Sequence, residues 1–395
     1  MKMVSLAPFG IRPKGTVIAR MLPLAVGLRN LGHEVTIVAP PYTNPEDSGK
    51  VETVRGIKLV NVMLPKCGKA LSALPLSWRM FRTALAEKPD VVHLFKPKGY
   101  GGLAAMLMLS LRRLGGRLPP LFVDTDDWEG NGGMNELHAY SSAEKRLFAF
   151  QEQWLSRHAV GITVASRELE RLTREMGVPA ERIFYLPNCV EDVPPGDGGR
   201  VREKLGMEAD APVVLLYTRF FEFSQERLHR VLAGIHERLP EARFLVVGKG
   251  RHGEEEQLLA ASRSMGFASA LVMAGWVEPH DIPDYLAAAD VALYLLDDTL
   301  VNRAKCPAKL TEIIRAAIPV VADRVGQAAE YIGDGTSGFL CDPANPKEMV
   351  EKAFALLKDR TKGKLLGGEG RRHLLDGFNW HDLAGRLLYF IREKL

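Results

Sequence analysis

Short, nearly continuous apolar runs recur along the chain, and between them lie longer stretches in which apolar residues return every three or four positions. The runs read as buried strands and the longer stretches as helices with one apolar face. In the first half the strand candidates are MVSLAPF, EVTIVAP, KLVNVML, VVHLF, LFVDT, GITVAS and IFYLPN. In the second half they are VVLLYTR, RFLVVGK, LVMAGW, VALYLL, PVVAD and GFLCD. Alternation of the two patterns over the whole length predicts an α/β protein built from repeated βαβ units around parallel sheets. The segment VEDVPPGDGGRV, rich in Pro, Gly and Asp, interrupts the alternation and reads as a linker over residues 190–201. The pattern thus predicts two doubly wound, Rossmann-like domains over 1–189 and 202–376, followed by a terminal amphipathic helix within 377–395. A first helix, from about Thr16 to Leu31, is closed by Gly32 as a left-handed cap.

Composition narrows the class. A chain of 395 residues with 46% hydrophobic and 25% charged residues is long enough for two cores and is neither disordered nor fibrous. The longest uninterrupted apolar run, LAAMLMLSL, ends at Arg112 and Arg113, well short of a spanning helix. The N-terminus lacks the apolar core of a signal peptide, and Cys67, Cys189, Cys306 and Cys341 form no CxxC pair. A cytoplasmic, reducing setting without a thiolate zinc site is therefore expected, with the inner face of the membrane as a peripheral location.

The net charge of +4 is unevenly spread: residues 1–190 carry 25 Lys and Arg against 17 Asp and Glu, and the remainder carries 27 against 31. A basic first half attracts an anionic substrate, a membrane surface or a nucleic acid, or is simply solvated. The stretch ALSALPLSWRMFRTALAEK places Leu71, Leu74, Leu76, Trp78 and Phe81 beside Arg79 and Arg82, a mixture that suits either a lipid interface or a core-facing stripe. Nucleic acid is not an expected partner, because the cations are not interleaved with an aromatic platform.

Open α/β sheets bind ligands beyond the carboxyl ends of their strands, so the chemistry is sought there. The loop PFGIRPKGT brings Gly10 and Gly15 ahead of a helix, where backbone amides hold phosphate or merely form the turn. Arg219 ends the strand VVLLYTR, where its guanidinium clamps phosphate oxygens or pairs with Glu222 or Glu226. Gly248 and Gly250 flank Lys249 at another strand end and allow close backbone approach. In KCPAKLTEIIRAAIPVVADRVG, Glu312 on a first helical turn suits ribose hydroxyls and Lys309 suits phosphate, or the two form an i, i+3 ion pair. Asp124, Asp126 and Asp127 in LFVDTDDWEG can orient a substrate's hydroxyls, act as a base, hold a divalent ion or cap a turn. His93, at the end of VVH, either lines the cleft or fills the core.

Taken in order, LRNLGHEVTIVAP, PDVVHLFKP, ITVASRELERLTREMGVPAERIFYLPN, LYTRFF, ARFLVVGKG, AGWVEPHDIPDYLAAADVALYL, PAKLTEIIRAAIPVVA and GDGTSGFL make the chain resemble a family 4 glycosyltransferase of GT-B fold nearly end to end. The resemblance implies two domains facing a central cleft, with a C-terminal helix crossing back onto the first. It implies retaining transfer of a hexosyl or related group from a UDP or GDP sugar to a glycan, glycolipid or small-molecule acceptor, in cell-envelope glycan synthesis, with no cofactor and no metal. The donor is expected mainly on the second domain and the acceptor on the first. By position, Arg219 matches the diphosphate-binding arginine, Glu312 the second glutamate of the family's paired motif, and Gly15 the glycine loop. Trp276 and Val277 match the stretch that reads the base, Lys309 lies in a PxKLxE variant, and Asp126 and Asp127 occupy a position near the reacting sugar. Two positions depart from the pattern: Ser224 stands where a lysine is usual, and Ala304 where the first glutamate is. Lys305 or Lys309 is expected to restore the lost positive charge, and the departures leave a non-catalytic nucleotide- or glycan-binding protein of the same fold as the alternative.

Overall fold

All thirteen apolar runs become strands in the computed structural model, which describes residues 1–12, 15–66 and 68–395, with residues 69 and 70 described by their backbone alone. Cys67, one of the four cysteines weighed above, lies outside the described residues, as do residues 13 and 14 of the loop before the first helix. The chain divides into two units: Met1–Cys189 with Ala304–Cys306 and Asn379–Leu395, and Val190–Arg303 with Pro307–Phe378.

The first unit holds β1 (Lys2–Leu6), β2 (Glu34–Ala39), β3 (Val51–Val54), β4 (Ile57–Asn61), β5 (Val91–Phe95), β6 (Leu121–Thr125), β7 (Gly161–Val164) and β8 (Ile183–Tyr185). Their order across the sheet is β3-β4-β2-β1-β5-β6-β7-β8. Strand β3 is the one the sequence pattern did not predict. Its residues VETV alternate apolar and polar at the sheet edge, and it pairs antiparallel with β4 through a turn in which Arg55 and Gly56 both have left-handed backbone, at φ 50° and 78°. The other neighbours are parallel, as apolar strands covered on both faces require. Val4, Leu6, Leu94 and Val123 of this sheet pack against Leu76, Met80, Ala104 and Met108 of the helices Lys69–Ala86 and Gly99–Arg113.

The second unit holds β9 (Val213–Tyr217), β10 (Arg243–Val247), β11 (Leu271–Gly275), β12 (Val291–Tyr294), β13 (Val320–Asp323) and β14 (Phe339–Cys341), an all-parallel sheet ordered β11-β10-β9-β12-β13-β14. Val214, Leu216, Phe244 and Val246 pack against Leu228, Val231, Leu232 and Ile235 of the helix Gln225–Arg238. The expected linker is not irregular throughout: a helix begins at Gly198, capped by Asp197, whose side chain accepts from the Arg200 amide at 3.2 Å.

In each sheet one strand marks the reversal of order. Strand β1 lies between β2 and β5, and β9 between β10 and β12, so helices leave these pairs in opposite directions and a crevice opens at their carboxyl ends. The terminal helix Trp380–Lys394 belongs to the first unit. It packs on the helix Leu22–Asn30 at Gly27, where a Cβ would lie 3.0 Å from the Trp380 carbonyl oxygen, and its Phe390 stacks on Phe184 at 5.3 Å.

Candidate active site

At the crevice of the first unit, Lys96 follows β5 with left-handed backbone at φ 56°, a strained conformation for a residue with a side chain. Its Nζ lies 2.8 Å from Asp126 Oδ1, contacts Asp127 Oδ2, and lies 3.6 Å from Glu129 Oε1. Lys98 Nζ reaches Glu129 Oε2 at 2.7 Å and Asn135 Oδ1 at 3.0 Å. Burial opposes a charge on Lys96, but the three carboxylates outweigh it and hold the ammonium well above its ordinary range. The two aspartates then separate. Burial would raise Asp126, yet Lys96, Arg20 and the Thr16 hydroxyl, which donates to Asp126 Oδ2 at 3.1 Å, hold it low and ionised. Asp127 is raised by burial and by the neighbouring Asp126 and Glu129 charges, despite Lys96, and its side chain keeps 22% of its surface open. A split between adjacent carboxyls is how a site sets one as a fixed charge and the other as a proton acceptor.

Beneath this cluster runs a buried polar chain. Arg20 donates through Nε to Asp124 Oδ1 at 2.8 Å and through Nη2 to Asp124 Oδ2 at 2.6 Å, and its remaining hydrogens reach Asn188 Oδ1 and the Leu186 carbonyl. The Thr163 hydroxyl donates to Asp124 Oδ2 at 2.5 Å and lies 3.1 Å from His93 Nε2. His93 was a candidate catalytic residue. The structure corrects this: the ring is 1% exposed, and burial, with Arg20 nearby, pushes it down to about 4, so it is a neutral core imidazole that braces β5 against β7. Gly15 precedes the π-helical turn Val17–Met21 and its carbonyl accepts from the Ala19 amide at 2.9 Å, which places it at the mouth of the same crevice.

In the second unit Arg219 stands just past β9 with 49% of its side chain exposed, and its ion pair is a loose one with Glu222 at 3.8 Å. The Lys309 ammonium lies 3.9 Å from the centre of the Tyr217 ring, and the Tyr217 hydroxyl bonds to Glu312, with burial and the Glu312 charge both raising the phenol. Strand β9 and the helix Ala308–Arg315 thereby bring Arg219, Tyr217, Lys309 and Glu312 to one place. Trp276, 60% exposed, follows Gly275 at the end of β11, with half-buried Val277 after it.

Two expectations change here. The backbone amides of the glycine turn are engaged: the Gly248 N–H donates to the Gly275 carbonyl at 2.8 Å and the Gly250 N–H to Glu255 Oε1 at 2.8 Å. Lys305 is buried and belongs to the first unit, whereas Arg219 and Glu312 belong to the second. Ser224 caps the helix Gln225–Arg238, its hydroxyl accepting from the Arg227 amide at 3.4 Å, which accounts for its presence at that position. Residues that sequence reasoning missed are Lys96, Glu129, Arg20 and Tyr217. Lysines at the end of VVHLF and a tyrosine two places before Arg219 were the available signals. Among the described residues no group of three or more His, Cys, Asp or Glu is arranged to hold a metal ion.

With this geometry in view, similarity to known proteins defines the class. Residues 15–189 match the family model described as a glycosyl transferase 4-like domain, and residues 211–359 match that of the glycosyl transferases group 1. The GDP-mannose-dependent alpha-(1-6)-phosphatidylinositol monomannoside mannosyltransferase of Mycolicibacterium smegmatis is 24% identical over 388 residues, covering 95% of this chain and 94% of that one. Among solved structures, HepE of Anabaena in complex with UDP and glucose superposes at a TM-score of 0.75 with 19% identity over all of both chains. Sucrose-phosphate synthase of Thermosynechococcus elongatus does so at 0.75 with 17% identity, over 100% of this chain and 99% of that one. The chain belongs to the family 4 type of GT-B glycosyltransferases. It is an enzyme of glycosyl transfer, and the non-catalytic alternative is set aside.

Proposed function

We propose that the second unit holds a nucleotide-sugar donor and that the first holds a hydroxyl-bearing, lipid-linked acceptor, with transfer retaining the anomeric configuration. The observation that carries this reading is Arg219, a half-exposed and weakly paired guanidinium at the carboxyl end of the strand where the sheet order reverses. Its planar fork fits the diphosphate, Glu312 takes the ribose hydroxyls, and Trp276 with Val277 borders the base. As the bond from sugar to diphosphate breaks, negative charge grows on the departing phosphate, and Arg219 stabilises it there. The acceptor hydroxyl forms the new bond to the same face of the sugar, and its proton passes to the departing phosphate. Asp127 and Asp126 orient that hydroxyl, Asp127 as its hydrogen-bond acceptor. No metal is required in this scheme, since the positive charge comes from side chains.

A lipid-linked acceptor agrees with the phosphatidylinositol monomannoside in the mycolicibacterial relative's name and with the helix Lys69–Ala86, which exposes Leu71 by 73%, Leu74 by 76% and Trp78 by 50% beside Arg79. A row of large apolar side chains flanked by cations suits the surface of an anionic leaflet. A peripheral location on the inner face of the membrane, in envelope glycan synthesis, follows from the same reading. No described helix is long and apolar enough to cross a membrane. The test is release of GDP from GDP-mannose and of UDP from UDP-glucose, with and without phosphatidylinositol vesicles. One donor is expected to be consumed, faster with vesicles; consumption of neither under both conditions contradicts the reading.

A further inference from the structure

Resting on the donor reading above, we propose that Arg251 is a second phosphate-binding residue of the donor site, working with Arg219 on the diphosphate. The guanidinium carbon of Arg219 lies 5.0 Å from the centre of the Phe221 ring and that of Arg251 4.8 Å from the same centre. One aromatic ring thus holds two cations that come from the ends of different strands, β9 and β10. The two guanidinium carbons therefore lie within about 10 Å of each other, and since cation–π contact offsets only part of their repulsion, an anion shared by both would relieve the rest. Arg219 has its loose partner in Glu222 at 3.8 Å, and among the described residues Arg251 has no ion pair.

The loop itself is built to aim the Arg251 side chain. Glu254 Oε2 accepts from the amides of Arg251 at 2.9 Å and His252 at 2.6 Å, and Glu255 Oε1 accepts from the Gly250 amide. Burial would raise Glu254, but these backbone donors hold it low, so the loop is anchored by an ionised carboxylate. With the amides of residues 248, 250, 251 and 252 engaged, the loop meets an anion through its side chain instead of through a backbone cradle. Two guanidinium forks offer enough donors to cover the non-bridging oxygens of both phosphates. The ligand class is therefore a nucleoside diphosphate, with Arg251 contributing on the phosphate farther from the nucleoside.

Titration calorimetry of the full chain with UDP, GDP and ADP, and with UMP, GMP and AMP, tests this on the wild type, Arg251→Ala and Arg251→Lys. For the diphosphate that the wild type binds, Arg251→Ala is expected to lose about tenfold or more in affinity, as loss of a charged hydrogen bond does. The matching monophosphate should bind as before, and Arg251→Lys should fall between. Arg251 is exposed, so the fold survives its replacement, and unchanged melting temperatures check this. Equal diphosphate affinity in Arg251→Ala overturns the proposal while leaving the donor site standing. Equal losses for monophosphate and diphosphate overturn it as well, because they report a disturbed loop. A wild type that binds none of the diphosphates overturns the donor reading and this proposal with it.

Discussion

Asp126 and Asp127 are neighbours in sequence, yet they differ in what surrounds each carboxyl. Asp126 collects Lys96, Arg20 and the Thr16 hydroxyl, whereas Asp127 shares Lys96 with two other acids and faces outward. The charge that fixes this arrangement is Arg20, itself held by Asp124 in a fully buried pair. A buried pair of this kind is costly to break, since either partner left alone is an unpaired interior charge. Glu152, buried beside Glu129, escapes the problem by staying protonated: burial first, then the Glu129 charge, pushes its carboxyl well above the ordinary range. His93 solves it in the opposite sense by staying neutral. Its folded pKa of about 4 lies below the unfolded value of 6.5, so between those pH values only the unfolded chain takes up the proton. Stability from this residue is complete above pH 6.5 and is lost as pH falls toward 4. Urea unfolding at pH 7 and pH 5 should show the wild type losing about 2 kcal/mol more than His93→Gln over that interval. The same loss in both proteins would show that His93 does not carry the acid sensitivity.

At the scale of elements, the ends of β9, β10 and β11 are locked together through Gly248. Its backbone is left-handed at φ 123°, and an added Cβ would lie 1.9 Å from the Thr218 carbonyl oxygen. Gly248→Ala must therefore push β9 and β10 apart where Arg219 and Arg251 emerge. The expected cost is about 2 kcal/mol or more, read as a lower melting temperature together with weaker nucleotide binding. An unchanged melting temperature would mean that the strand ends are less tightly fixed than described. The strands were legible in the sequence because each is a short apolar run bounded by turn residues, and β3 escaped because VETV is an edge strand with half its residues facing water. The site was legible only in part. Arg219, Asp126 and Asp127 stand out in the sequence because they follow strands, and Glu312 because it lies on the helix that leads into β13. Lys96, Tyr217 and Arg251 do not stand out, because what marks them is contact between elements that no local pattern records. His93 was misjudged for a related reason: a histidine in a strand faces either way, and only packing against Thr163 decides.

For the whole molecule, the chain divides chemistry between two units of different electrostatic character. The basic excess of residues 1–190 does not lie at the crevice of the first unit, where Lys96 and Lys98 are outnumbered by Asp126, Asp127 and Glu129. That crevice suits hydroxyl groups. The excess belongs instead to surfaces such as the helix Lys69–Ala86, where cations beside exposed Leu74 and Trp78 suit anionic lipid. In the second unit Arg219 and Arg251 bring positive charge past the ends of β9 and β10, which suits the diphosphate of the proposed donor. In the proposed reaction Arg219 carries the transition-state charge of glycosyl transfer. This role is tested most directly by comparing kcat of the wild type and Arg219→Ala on the donor that the wild type consumes. A loss of about 10²- to 10³-fold is expected, the scale set by removing one preorganised donor from a developing anion. Turnover of Arg219→Ala close to that of the wild type would contradict it.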